Sequence, residues 1–112
     1  MMKAVTRGWL LLGSALLLVT ACAARSEEDL RAELRTYVAA HNQCASTEQC
    51  VLASAGCPLG CAVAVNSQYK SAVEQKAAEL VSEYESSGRK CSYECALVAA
   101  ACSEGHCELV AP

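Results

Sequence analysis

Nine cysteines carry most of the chemistry this sequence offers: Cys22, Cys44, Cys50, Cys57, Cys61, Cys91, Cys95, Cys102 and Cys107. Thiols at this density serve as disulfides, metal ligands or redox groups, and spacing helps to separate the three. A thiol oxidoreductase is expected to show Cys-x-x-Cys, and the sequence has none. The nearest approaches are Cys57-x3-Cys61 and Cys91-x3-Cys95, which put two thiols on one face where the segment is helical. Those four would loosely suit a zinc site with four thiolate ligands, and His41 and His106 stand close to Cys44 and Cys107. An oxidising compartment works against free thiolates, so disulfides are the expected state of the eight cysteines from Cys44 onward. Eight cysteines admit on the order of a hundred pairings, and spacing alone does not choose among them.

Other reactive constellations are missing. Ser54, Ser67 and Ser103 lack a Gly-x-Ser-x-Gly context. No phosphate-cradling glycine loop is present, and the acidic residues fall where helix exteriors and turns are expected. The sequence therefore predicts neither an enzyme nor a bound cofactor, and no metal. One short stretch, Ala55 to Cys61, reads as a candidate binding loop. Pro58 stiffens it, Leu59 is the side chain it would offer, and Cys57 and Cys61 hold its ends. In style it resembles the disulfide-rigid loops of small protease inhibitors, which gives the alternative reading: a secreted inhibitor or effector acting through Cys57–Cys61. The plainer alternative is a constrained hairpin turn with Leu59 folded onto the core.

An odd cysteine count leaves one thiol without an internal partner, and its position identifies it. Lys3 and Arg7 precede an apolar run of eleven residues, Trp9 to Val19, and small residues follow. That is the order of a secretory signal; a membrane-spanning helix needs about 20 apolar residues. Val19-Thr20-Ala21-Cys22 resembles the bacterial lipobox, which implies that Cys22 becomes a lipidated N-terminus. Ala23 in place of Asp implies sorting to the outer membrane by similarity with Gram-negative lipoproteins. The alternative is ordinary cleavage around Ala21–Ala24 and release into the periplasm or medium. Expected boundaries are a lipoprotein signal peptide over 1–21, a lipidated Cys and short tether over 22–25, and a cysteine-rich domain over 26–112. From Cys22 onward seven Lys/Arg face twelve Asp/Glu, a formal charge of −5. An acidic excess argues against a nucleic-acid partner and against a polybasic route to anionic lipid. The lipid anchor is then the membrane contact, and a protein partner is left open.

The elements that must position these residues follow from periodicity. Ser26 caps a helix over 27–41, with Glu27, Glu28 and Asp29 in its first turn and Leu30, Leu34, Tyr37, Val38 and His41 along one stripe. Cys50–Ser54 and Cys61–Val65 are strand-length runs joined through Gly56, Pro58 and Gly60, hence a hairpin. A second helix over 67–86 carries Tyr69, Val73, Ala77, Leu80, Val81 and Tyr84, with Gly88 as its C-terminal cap. Residues 93–101 read as a strand, 103–106 as a turn and 107–110 as a last strand. The predicted fold class is α+β: a small disulfide-rich domain of two helices and a short antiparallel sheet, in the order α-β-β-α-β-β. With no Phe and no Trp beyond Trp9, the core is small and staples are expected. The two halves echo each other weakly, each a helix followed by a hairpin.

The run Cys44-x5-CVLASAGCPLGCAVAVN, followed by Cys-x3-Cys and Cys-x4-Cys, resembles an uncharacterised group of small bacterial extracytoplasmic cysteine-rich proteins over about residues 44–107. The resemblance implies an exported eight-cysteine fold and no particular activity.

Overall fold

A computed structural model describes residues 25–89, 91, 92 and 94–112. The order is α1 (Glu27–Ala39), β1 (Cys50–Ser54), β2 (Ala62–Asn66), α2 (Lys70–Ser86), β3 (Ala99–Ser103) and β4 (His106–Val110), so the α+β class and element order hold. The strands form two stacked hairpins rather than one sheet: β1 pairs antiparallel with β2, and β3 with β4.

Ser26 caps α1, its Oγ accepting from the Asp29 N–H at 3.1 Å. The helix stops two residues short of expectation because tertiary bonds take the backbone beyond it. His41 O accepts from Asn66 N at 3.0 Å, Asn42 O from Cys107 N at 2.7 Å, and Cys44 N donates to Gly105 O at 2.9 Å. Asn66 caps a short 3₁₀ turn, Ser67–Tyr69, through a 3.0 Å bond from Gln68 N, and α2 starts only after it. Gly88, at φ +76°, ends α2 in the left-handed conformation that relieves a side chain's clash.

Alternation along β1 and β2 sorts their side chains onto two neighbours. Ala53 and Val65, with Val51 and Val63, pack on Val73 of α2 and Tyr37 and Val38 of α1. The opposite face presents Cys50 and Ala64 to Cys107, Ala100 and Cys102 of the second hairpin. Three layers result: helices, the β1–β2 hairpin, and the β3–β4 hairpin. Small Ala and Cys side chains let the hairpins close to a Cα separation of 5.5 Å at Cys50–Cys107, well inside the roughly 10 Å of sheets spaced by larger residues. Leu30, Leu34, Ala55, Ala77, Leu80 and Tyr84 fill the helix layer.

Chain direction gives the fold two distinct ends. The bonds from 41–44 to Asn66, Gly105 and Cys107 place the C-terminus of α1 beside the β3–β4 turn. The start of α1 lies at the opposite end with the 55–61 loop, whose Pro58 O accepts from Arg31 Nε at 2.9 Å. The C-terminus of α2 joins them there, Glu83 lying 3.2 Å from Arg25. Cys91 and Cys95 are tied to the 55–61 loop by disulfides. The open end of the second hairpin, Ala99 and Val110, points the same way.

Candidate functional site

All eight domain cysteines are paired: Cys44–Cys102, Cys50–Cys107, Cys57–Cys91 and Cys61–Cys95, with Cα separations of 5.9, 5.5, 6.1 and 5.6 Å. Each pair of neighbours on one segment bonds a pair of neighbours on another in the same order. Two ladders of adjacent rungs result. One ties the β1 approach to the second hairpin, and the other ties the 55–61 loop to 91–95. The zinc reading needs thiolates at Cys57, Cys61, Cys91 and Cys95, and those sulfurs are bonded to each other instead. Where the first ladder is densest, the sulfurs of Cys44, Cys50 and Cys107 all lie within 4.8 Å of one another. That is the proximity of two adjacent disulfides, two of whose cysteines, Cys50 and Cys107, are buried.

The 55–61 loop does not present Leu59. A turn closed by Leu59 N to Gly56 O at 2.7 Å folds it inward: Pro58 is fully buried and Leu59 packs on the helix core beside Val38 and Val63. Leu59 instead floors a groove of about 420 Å³ with Leu34, Val38 and Val63, rimmed by Arg31 and Arg35. Both rim guanidiniums are already engaged, Arg31 with Glu27 at 2.5 Å and Arg35 with Glu28 at 3.8 Å. The groove floor is apolar in character.

The side chain that does project is Leu97, 85% exposed. The sequence predicts it inside a strand over 93–101. That strand begins only at Ala99, and Tyr93 lies outside the described residues. Cys91 and Cys95 both reach back to the 55–61 loop, so residues 94–98 are drawn off the sheet as irregular chain.

Charged groups at the same end form a network rather than a catalytic pair. Arg25 Nη2 lies 2.6 Å from Glu33 Oε2, and Lys76 Nζ lies 3.3 Å from Glu33 Oε1. The Arg25 guanidinium beside it, outweighing desolvation and helped by Lys76, holds the Glu33 carboxyl below its usual range. Glu74 is lowered by the Ser54 backbone N–H, which it accepts at 2.8 Å. At the other end, His41 lies among aromatic rings. It stacks on Tyr37 at 4.3 Å, meets the edge of Tyr69 at 4.9 Å, and sets Nδ1 2.6 Å from Tyr37 O. His106 is exposed, 3.1 Å from Asn42 Oδ1.

Comparison of the chain with protein-family models, curated proteins and solved structures finds no match. Cys22 and the expected signal over 1–21 lie outside the described residues. Of the expected tether only Arg25 is described, and its ion pairs to α1 and α2 make it part of the domain. Among the described residues no helix is long and apolar enough to cross a membrane. Four disulfides belong to an oxidising, extracytoplasmic compartment.

Proposed function

We propose that this chain is an exported lipoprotein, anchored through acylated Cys22 to the bacterial outer membrane and displaying a non-enzymatic, disulfide-stapled α+β module for binding or structural duty. The observation that carries the reading is the complete pairing of the other eight cysteines within the domain. Cys22 is the one thiol left over from nine, and it follows an apolar run and small residues in the order an export signal requires. Two or three acyl chains at one residue give stable membrane attachment, where a single chain gives only marginal binding. Every thiol of the domain is committed to a bridge, so its cysteines act as staples for a rigid surface rather than as reactive groups.

Intact mass and fractionation test this together. Under non-reducing conditions the membrane-extracted protein should carry acyl mass at Cys22, and its domain should be eight hydrogens lighter than the fully reduced form. Cys22→Ser should move the protein out of the membrane fraction. A Cys22→Ser protein that still sediments with membranes, or alkylation of domain thiols before reduction, would sink the reading.

A further inference from the structure

Four large apolar side chains are exposed among the described residues: Leu97 at 85%, Leu109 at 45%, Val110 at 37% and Tyr69 at 37%. Three of these four share one end of the fold. Leu97 follows Cys95, which is bonded to Cys61 of the loop beside the start of α1. Leu109 and Val110 close β4 opposite Ala100 and Ala99, at the open end of the second hairpin. Val98 is half-buried beside them, and Ala111 and Pro112 continue the apolar run exposed. Tyr69 alone lies at the other end, against His41.

That same end is where the chain leaves toward Cys22. Arg25 is held to both helices by its ion pairs with Glu33 and Glu83, at 2.6 and 3.2 Å, so only Ala23 and Ala24 separate Cys22 from the domain. Three peptide units from Cys22 to Arg25 span at most about 10 Å. A domain anchored at Cys22 therefore keeps Arg25 within about 10 Å of the headgroups, with the exposed Leu97, Leu109 and Val110 at the same end of the fold.

We propose that the apolar rim formed by Leu97, Val98, Leu109 and Val110 is a membrane-docking surface that seats the domain on the lipid interface beside its own anchor. Apolar side chains at the headgroup boundary add binding in proportion to the area they bury, and the bridge at Cys95, two residues before Leu97, lowers the entropic cost of displaying it. The occupant is the lipid surface itself. Its partner chemistry is apolar, because the domain's acidic excess offers no attraction to anionic headgroups. The inference rests on the anchored reading, and its test imposes the anchor chemically so that the two fail separately.

The chain from Cys22 onward has no tryptophan, Trp9 being the only one, so a single introduced indole reports its own surroundings. The oxidised protein from Cys22 onward, containing every described residue, has Cys22 as its one free thiol and is coupled there to maleimide-phospholipid in phosphatidylcholine vesicles. Leu97→Trp and Val110→Trp probe the rim, and Ala45→Trp probes the far end; far-UV circular dichroism checks each fold. Brominated lipid should quench the two rim indoles at least twofold and leave the far-end indole unchanged. Acrylamide access to the indole of the Leu97→Trp protein should fall at least twofold on coupling. Adding Leu97→Asp to the Val110→Trp protein should restore aqueous exposure. Rim indoles as open to acrylamide after coupling as before, or quenched by bromolipid no more than the far-end probe, would overturn the docking surface. A Cys22 found unacylated in cells would instead count against the anchor alone.

Discussion

Replacing Cys44 and Cys102 together by alanine should cost about 3 kcal/mol, and the reason for 3 rather than 4 lies in the ladder. Taken alone, a bridge spanning 58 residues restricts the unfolded chain by about 4.2 kcal/mol at 25 °C on the loop-entropy relation. With Cys50–Cys107 in place, however, Cys44 and Cys102 are already neighbours. The residual ring runs six residues from Cys44 to Cys50, crosses the bridge, and returns five from Cys107 to Cys102. A ring of about a dozen residues is worth only about 2.8 kcal/mol. With Cys61–Cys95 still closing the chain, the last of the two bridges to go spans a ring of about two dozen residues, worth about 3.5 kcal/mol. Removing both should therefore cost about 0.7 kcal/mol more in chain entropy than the two single-bridge losses added, above the ~0.3–0.5 kcal/mol within which independent changes add. Urea titrations of the wild type, C44A/C102A, C50A/C107A and the fourfold variant close this cycle. An excluded osmolyte restores a folded baseline where the fourfold variant is too weak in water. Because Cys50 and Cys107 are buried, their pair also loses packing, and that contribution appears on both sides of the cycle. A loss of 4 kcal/mol or more for C44A/C102A alone, with strict additivity, would refute the laddered pairing.

Three further outcomes follow from the packing and the charges. Leu80→Ala, at 2% exposure in the helix core, should cost about 3 kcal/mol in urea unfolding, whereas Leu97→Ala should stay within about 0.5 kcal/mol. Gly56→Ala should destabilise measurably by the same assay, because φ is +89° there and a Cβ would meet Val81 Cγ2 at 3.3 Å; Gly105→Ala, equally left-handed but opening onto free space, should cost only the backbone strain. Glu33 and Glu74 titrate below the ordinary 4.5 in the folded state, so their contribution is present above about pH 4.5 and is lost as the pH falls through their folded values; the urea midpoint should drop below pH 4.5, less steeply in Glu74→Gln.

Both helices were legible in the sequence because their signals are local. Ser26 with its acidic first turn, and the Val73, Ala77, Leu80 and Tyr84 stripe, depend on residues within a few turns of one another. The first hairpin was legible for the same reason, through Gly56 and Gly60. Residues 93–101 misled because strand propensity says that a segment fits a pleated surface, not where pairing begins. The bonds of Cys91 and Cys95 to the 55–61 loop decide that, and they hold the chain off the sheet until Ala99. The disulfide pairing was not legible at all, since it follows from how the two hairpins stack and from how Cys91 and Cys95 return to the 55–61 loop.

Leu59 and Leu97 carry the sharper lesson. By sequence Leu59, between Pro58 and Gly60, is open to two readings, a displayed loop tip or a turn folded onto the core, while Leu97 sits in an apolar run that reads as a strand. The structure folds Leu59 onto the core and leaves Leu97 outside any strand, because burial depends on what an adjacent element offers. Leu59 lies against the flank of α1, where Leu34 and Val38 receive it. Leu97 lies in irregular chain just after the disulfide-bonded Cys95, and among the described residues no helix lies beyond the second hairpin to cover it. A two-stranded hairpin has one face to bury, and the Cys and Ala side chains of β3 and β4 commit that face to β1 and β2. Among the described residues nothing covers Leu97, Leu109 and Val110, and under the proposed anchoring at Cys22 the nearest apolar surface outside the domain is the membrane.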